Sequence, residues 1–230
     1  MEHEVFLMKR GNINHVRNCH YPDAPYWYYL CDKYGIYLED EANIESHQYY
    51  YGKQSLSHVP EFRNAHIARN MEMVHATVNH PSVVIWSLGN EAGPGKTFVD
   101  CYNAIKAYDT SRPVQYERNN DIVDMGSNQY PSIAWVQGAV QGKYKLKYPF
   151  HISEYAHSMG NVLRKTSSTT GMLSRAPTSS WVAPSGTGWT RLWTSRTLLP
   201  ARPTGLTEAT LERTTSLTTG NVLHERNHAS

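Results

Sequence analysis

Carboxylates recur in this chain just downstream of short apolar runs. Glu41 and Glu45 follow Ile36-Tyr37-Leu38, Asn90-Glu91 follow Val83–Leu88, and Glu117 follows Val114–Tyr116. Tyr130 comes shortly after Ile122–Met125, and Glu154 ends the run Phe150–Ser153. If the runs are parallel strands of one barrel, these points share its C-terminal rim, where barrel active sites are built. Two carboxyls at such a mouth suit glycoside hydrolysis: one protonates the leaving oxygen while the other attacks the anomeric carbon. Retention of configuration places them ~5–5.5 Å apart. The segment Glu45-Ser46-His47, with Glu91, offers oxygen-rich ligation with one nitrogen, which suits Mg²⁺ or Mn²⁺ better than Zn²⁺. His75 and His80 bracket a helix end and read as surface or capping residues, and no HExxH or GxSxG sequence occurs.

The elements that must position these groups alternate along the first 162 residues. Helices are expected at Glu2–Arg10 (stopped by Gly11), from Asp23-Ala24-Pro25 to Gly35, at Pro60–Asn79, at Lys96–Tyr108 and near Ile133–Val140. Strands are expected at Ile13–Val16, Ile36–Leu38, Val83–Leu88, Val114–Tyr116, Ile122–Met125 and Phe150–Ser153, with Glu39 to Glu45 an acidic loop. The unbroken apolar run Val83–Leu88 fits a strand covered on both faces. Repeated βα units without a glycine-rich phosphate loop favour a (β/α) barrel over a dinucleotide fold. Six strands are visible, and a closed barrel needs eight.

Composition excludes several classes. The chain has 230 residues, 40% hydrophobic and 18% charged, and reads as a soluble globular protein. No apolar run approaches the ~20 residues of a membrane span, and no signal-peptide stretch opens the chain. A net charge of +2 gives no nucleic-acid footprint, and three cysteines without a CxxC pair disfavour a disulfide framework or zinc site.

The averages conceal a break near Val162. All sixteen tyrosines lie at or before Tyr155, whereas threonine rises from three in residues 1–162 to fifteen in residues 163–230. Basic and acidic residues number 14 and 17 before the break, 8 and 3 after it. The tail shows neither helical nor strand periodicity, as a disordered Ser/Thr-rich segment would.

Five segments carry a resemblance. His15-Val-Arg-Asn-Cys-His-Tyr-Pro22, Asp40-Glu-Ala-Asn-Ile-Glu-Ser-His47, Asn79-His-Pro-Ser-Val-Val-Ile-Trp-Ser-Leu-Gly-Asn-Glu91, Ser111-Arg-Pro-Val-Gln-Tyr-Glu117 and Ser153-Glu-Tyr-Ala-His-Ser-Met-Gly-Asn161 resemble the catalytic barrel of bacterial β-galactosidases of glycoside hydrolase family 2. The likeness covers residues 1 to about 162, in the family's order and spacing. It implies a retaining β-galactosidase acting on terminal β-D-galactose, with Glu91 as acid/base and Glu154 as nucleophile. His20, Asn90, Tyr130 and His157 match positions that bind the galactose or support the nucleophile, and Arg17 matches a residue beside it. Glu45, His47 and Glu91 match magnesium ligands, and a monovalent cation such as Na⁺ is allowed. A homo-oligomeric parent in the cytoplasm, with the periplasm as alternative, is the matching expectation.

The resemblance also defines departures. Full-length members are several times longer. The fold expected here is a partial TIM (β/α)₈ barrel in residues 1–162, lacking strand 1 and strand 8, followed by a poorly structured tail in residues 163–230. The tail reads as an out-of-frame translation. A synonymous coding of Ser180–Thr194, read from its third base, gives Met-Gly-Gly-Ala-Ile-Trp-Asp-Trp-Val-Asp-Gln-Ala-Leu-Asp, which contains the family's strand 8 motif. The alternatives to an active galactosidase are an inactive frame-shifted fragment and a related family 2 β-glycosidase.

Overall fold

The computed structural model describes residues 1–11, 13–49, 52–116, 120–144, 146–147 and 150–154. Helix α1 (Glu2–Arg10) leads into strand β1 (His15–Arg17), then α2 (Pro25–Tyr34) and β2 (Tyr37–Glu41). Three short 3₁₀ turns precede a fourth at Pro60–Phe62, which opens into α3 (Arg63–Thr77) and β3 (Val83–Ser87). Helix α4 (Lys96–Tyr108), β4 (Val114–Gln115), β5 (Gly126–Gln129), α5 (Ile133–Val140) and β6 (Phe150–Glu154) follow. Strands β1-β2-β3-β4 form one parallel sheet in that order, and β5-β6 form a parallel pair. This is the βα succession of a partial barrel, as the sequence implies.

Each boundary has a local cause. Pro25 opens α2, where its missing N–H costs nothing, and Gly35 closes it at φ 69°, a left-handed conformation glycine adopts freely. Gly11, expected to act the same way, has φ −80°, so α1 ends without a left-handed cap. The long helix expected at Pro60–Asn79 is shorter at both ends, tightening to 3₁₀ at the start and stopping at Thr77. The fifth strand lies four residues beyond the expected Ile122–Met125. Val123 and Met125 are buried from a turn, while the Asp124 carboxylate accepts the Val114 N–H at 2.9 Å. Apolar residues there point inward without being a strand.

The largest revision concerns Glu39-Asp40-Glu41. Expected in an acidic loop, all three lie in β2 and are fully buried. Strand alternation sends them to two faces. Asp40 points out to the helices, accepting from Asn18 (2.9 Å), Tyr28 of α2 (2.7 Å) and Thr77 of α3 (2.8 Å). Glu39 and Glu41 point into the barrel interior, where Gln115 Nε2 donates to Glu39 at 2.5 Å and Arg17 Nε to Glu41 at 2.8 Å. The apolar core lies on the outer side, between strands and helices, around Trp27, Trp86, Phe98, Leu38 and Ile105. Stacking of Phe98 on Tyr116, with centroids 4.1 Å apart, carries it towards β4.

Candidate functional site

The interior side chains at the C-terminal ends of the strands converge on one guanidinium. Arg17, the last residue of β1, is 3% exposed. Its Nε donates to Glu41 Oε2 at 2.8 Å and its Nη2 lies 2.7 Å from the same oxygen. Nη2 also donates to Asn90 Oδ1 at 3.0 Å, while Nη1 donates to Ser153 O at 3.2 Å and Glu154 Oε1 at 3.3 Å. Residues 17, 41, 90 and 154, from four strands or strand ends, are thus brought to one point, as a barrel rim requires.

Glu41 is the second hub. Besides Arg17 it accepts from Ser87 Oγ at 2.5 Å and pairs with His20 Nδ1 at 2.9 Å. Burial works against its charge, yet Arg17 and the hydrogen bonds from His20 and Ser87 prevail and hold its carboxyl below the ordinary range. Burial likewise works against a charged His20, but the Glu41 hydrogen bond and charge outweigh it and raise the imidazole above its usual value. Sequence reasoning placed Glu41 on the rim as a loop carboxylate and did not foresee this role. The signal was Asp40-Glu41 itself: two carboxylates continuing an apolar run without a turn residue.

Gln129 is the other residue the sequence reading missed. Its Nε2 donates to Glu154 Oε1 at 2.5 Å and to Asn90 Oδ1 at 3.2 Å. Beside it, Tyr130 has φ 44° and its N–H donates to Glu154 O at 2.8 Å. Tyr130 is 43% exposed, at the open side of the rim.

Glu91 also has a positive φ, 32°, which is costly for a residue with a Cβ and is sustained only by surrounding structure. That structure is the loop before it. Gly89 has φ 145°, and a Cβ there would lie 2.6 Å from Ile44 O. Asn90 N–H donates to the same Ile44 oxygen at 2.9 Å. The chain Leu88–Glu91 is therefore pinned on residues 42–45.

The candidate cation ligands are only partly gathered. His47 Nε2 lies 2.8 Å from Glu91 Oε2, and Glu45 is exposed. Among the described residues no group of three His, Cys, Asp or Glu is arranged to hold a metal ion. As the side chains stand, Glu91 Oε2 is paired with the His47 imidazole and Glu45 joins neither, so this arrangement does not fit a cation held by Glu45, His47 and Glu91. Glu117 and His157 lie outside the described residues.

Below this layer sits a second polar layer. Glu39 receives Gln115, has Arg17 Nε at 3.6 Å and His151 Nε2 at 3.5 Å, and Ser127 Oγ donates to Gln115 Oε1 at 3.0 Å. Burial depresses the His151 pKa to about 3 and that of His15 to about 4, so both rings are neutral near pH 7.

Residues 1–181 match the family model described as glycosyl hydrolases family 2, TIM barrel domain. A β-galactosidase of Vibrio cholerae is 42% identical over 176 residues, covering 71% of this chain and 17% of that protein. The β-galactosidase of Oenococcus oeni shows the same identity and coverage. This chain therefore spans about a sixth of the length of the curated relatives it matches. Among solved structures, a Ruminococcus gnavus β-glucuronidase in complex with uronic isofagomine aligns with a TM-score of 0.46 at 25% identity, covering 56% of this chain and 27% of that one.

Proposed function

The chain belongs to glycosyl hydrolase family 2, and from that membership we propose that its rim performs retaining hydrolysis of terminal non-reducing β-D-galactosides, lactose among them. One observation supports the assignment of roles above the others: a single buried guanidinium bonds both Glu154 and Asn90, the neighbour of Glu91. This supports reading Glu91 and Glu154, 63 positions apart in the sequence, as working on one rim.

In the proposed reaction Glu154 is the nucleophile. A carboxylate oxygen bonds to the anomeric carbon while the glycosidic C–O bond breaks and its electron pair passes to the leaving oxygen. Glu91 gives its proton to that oxygen. In the second half Glu91, now a carboxylate, takes a proton from water as the water oxygen attacks the same carbon from the opposite side. The glycosyl–Glu154 bond breaks, and both glutamates return to their starting states with configuration retained. Arg17 and Gln129 orient the nucleophile, and Asn90, His20 and Tyr130 border the space for the sugar. His157 joins them by resemblance. The galactoside preference is carried over from relatives named β-galactosidase.

The test uses two proteins: the 230-residue chain, and a graft of residues 1–161 in place of the aligned segment of the Vibrio cholerae β-galactosidase. The expected result is turnover of a chromogenic β-galactoside by the graft, a first-formed product of β configuration by NMR, and loss of turnover in Glu154→Gln. A first-formed α product, or undiminished turnover in Glu154→Gln, overturns the reading.

A further inference from the structure

Resting on that reading, we propose that Gln129 is a positioning residue that fixes which oxygen of Glu154 attacks the sugar. Two donors meet on Glu154 Oε1: the amide of Gln129 at 2.5 Å and Arg17 Nη1 at 3.3 Å. Oε2 has no hydrogen-bond partner among the described residues. The nucleophile is thus tied down by one oxygen, leaving Oε2 as the one that forms the bond to the anomeric carbon.

The backbone explains why Gln129 reaches this place. Strands β5 and β6 pair in simple parallel register from Gly126–Phe150 to Asn128–Ile152, then the register slips so that Gln129 lies opposite Glu154. Such an irregularity re-aims a side chain at the end of a strand. Without the slip Gln129 would face Ser153. The Tyr130 N–H bond to Glu154 O locks the shifted register one residue further on.

The chemistry also favours an amide over the alternatives. Arg17 is already divided among Glu41, Asn90, Ser153 O and Glu154, and its bond to Glu154 is the longest of these hydrogen bonds. A neutral donor adds a second restraint on Oε1 without adding charge between two carboxylates that must behave differently. The same Nε2 lies 3.2 Å from Asn90 Oδ1, so one amide spans the nucleophile and the residue preceding the acid/base. Holding a reacting group in one orientation is worth large factors in rate, because misalignment is paid for at the transition state.

The experiment compares wild type with Gln129→Met, close in shape but without the donor, in both the chain and the graft. Three quantities are read: melting temperature, the kcat and KM of a β-galactoside, and the rate at which a 2-deoxy-2-fluoro-β-galactosyl fluoride labels Glu154, followed by peptide mass spectrometry. The expected result is a kcat about 10- to 100-fold lower, a KM changed less than kcat, and labelling slowed in step, with the melting temperature nearly unchanged. Labelling of wild type and Gln129→Met at equal rates overturns this proposal alone, since the parent reading survives. A fall in kcat matched by a fall in melting temperature also overturns it, showing a structural role only. A wild-type graft that is never labelled at Glu154 overturns the parent reading and this proposal with it.

Discussion

Arg17 has five N–H donors in a fixed plane, and Glu41, Asn90, Ser153 and Glu154 all draw on them. A lysine supplies the charge but not the fork, and cannot reach Glu41 and Glu154 together. Arg17→Lys in the graft should therefore lower kcat at least about 100-fold, a loss in the range of breaking a buried charged hydrogen-bond set. Activity within tenfold of wild type would show that the guanidinium is dispensable. His47 poses a related question, because its imidazole is paired with Glu91 Oε2 and this arrangement does not fit the cation that the resemblance implies. Calorimetric titration of the 230-residue chain with Mg²⁺ should therefore show no binding that depends on His47, and His47→Ala should titrate as wild type does. Binding that weakens in His47→Ala would show that the imidazole gives way to the ion.

The lower polar layer makes a residue-level prediction about pH. His151 is buried with a pKa of about 3, against 6.5 for an exposed imidazole, because burial disfavours the cation. The unfolded chain takes up this proton near pH 6.5 and the folded chain does not, so stability falls as pH drops below 6.5 until the folded group titrates. Between pH 6.5 and 5 this amounts to about 2 kcal/mol. His15, with a pKa of about 4, acts in the same direction. Asp40 opposes both, since burial raises its carboxyl and stabilises the fold as pH falls. The informative quantity is therefore the difference between wild type and variant. The melting temperature of His151→Gln should fall less between pH 6.5 and 5 than that of wild type. Parallel slopes would show that His151 is not neutral in the folded state.

At the scale of elements, the strand-to-loop junction after β3 is where local backbone chemistry decides the site. Gly89 adopts φ 145°, and an added Cβ would meet Ile44 O at 2.6 Å. Gly89→Ala should cost at least about 2 kcal/mol by thermal or urea unfolding, from the strained dihedral and the clash together. It should also cost activity, because Asn90 and Glu91 hang from the same turn. An unchanged midpoint would mean the turn adjusts freely.

The sequence announced this junction, since a continuous apolar run ending in Gly-Asn-Glu reads as strand, turn and rim carboxylate. Helices α2, α4 and α5 were legible for similar reasons, having Pro or Gly at an end or a clear apolar face. Strand β2 was not legible past Leu38, because three adjacent carboxylates look like solvated loop. Their burial is stabilised by partners far away in sequence: Tyr28 and Thr77 outside, Arg17, Gln115 and Ser87 inside. No local pattern encodes such partners. Gln129 was hidden for the same reason, because a register slip decides which residue faces Glu154. The cation site was readable as residue types but not as geometry.

At the scale of the whole molecule, the open question is what lies against the outer strands. Among the described residues β1 pairs only with β2 and β6 only with β5. Parallel edges with unpaired N–H and C=O groups are unfavourable in a barrel fold, which disposes of them by closing. The family match runs to residue 181, past the composition break at Val162, whereas the curated relatives cover 71% of the chain. The 71% coverage is what a change of reading frame near Asn161–Thr169 would leave, whereas the family match continuing to residue 181 is not explained by that change. This proposal can be tested at single bases. For the shifted frame to spell Trp-Asp-Trp, the codons of Ser185 and Thr187 must both end in T and that of Gly186 in G; the Ile before this motif needs a Pro184 codon ending in A, and the Met that opens the stretch needs TCA at Ser180. None of these choices is imposed by the protein sequence, since each amino acid has synonymous codons. Sequencing the coding DNA should find all five. Restoring the frame should then give a protein that melts at a higher temperature and aggregates less than the 230-residue chain, because the recovered apolar strand can add to the sheet beyond β6. Other third bases at Ser185 and Thr187 would refute the shifted frame, and the Thr-rich tail would need an origin in its own right.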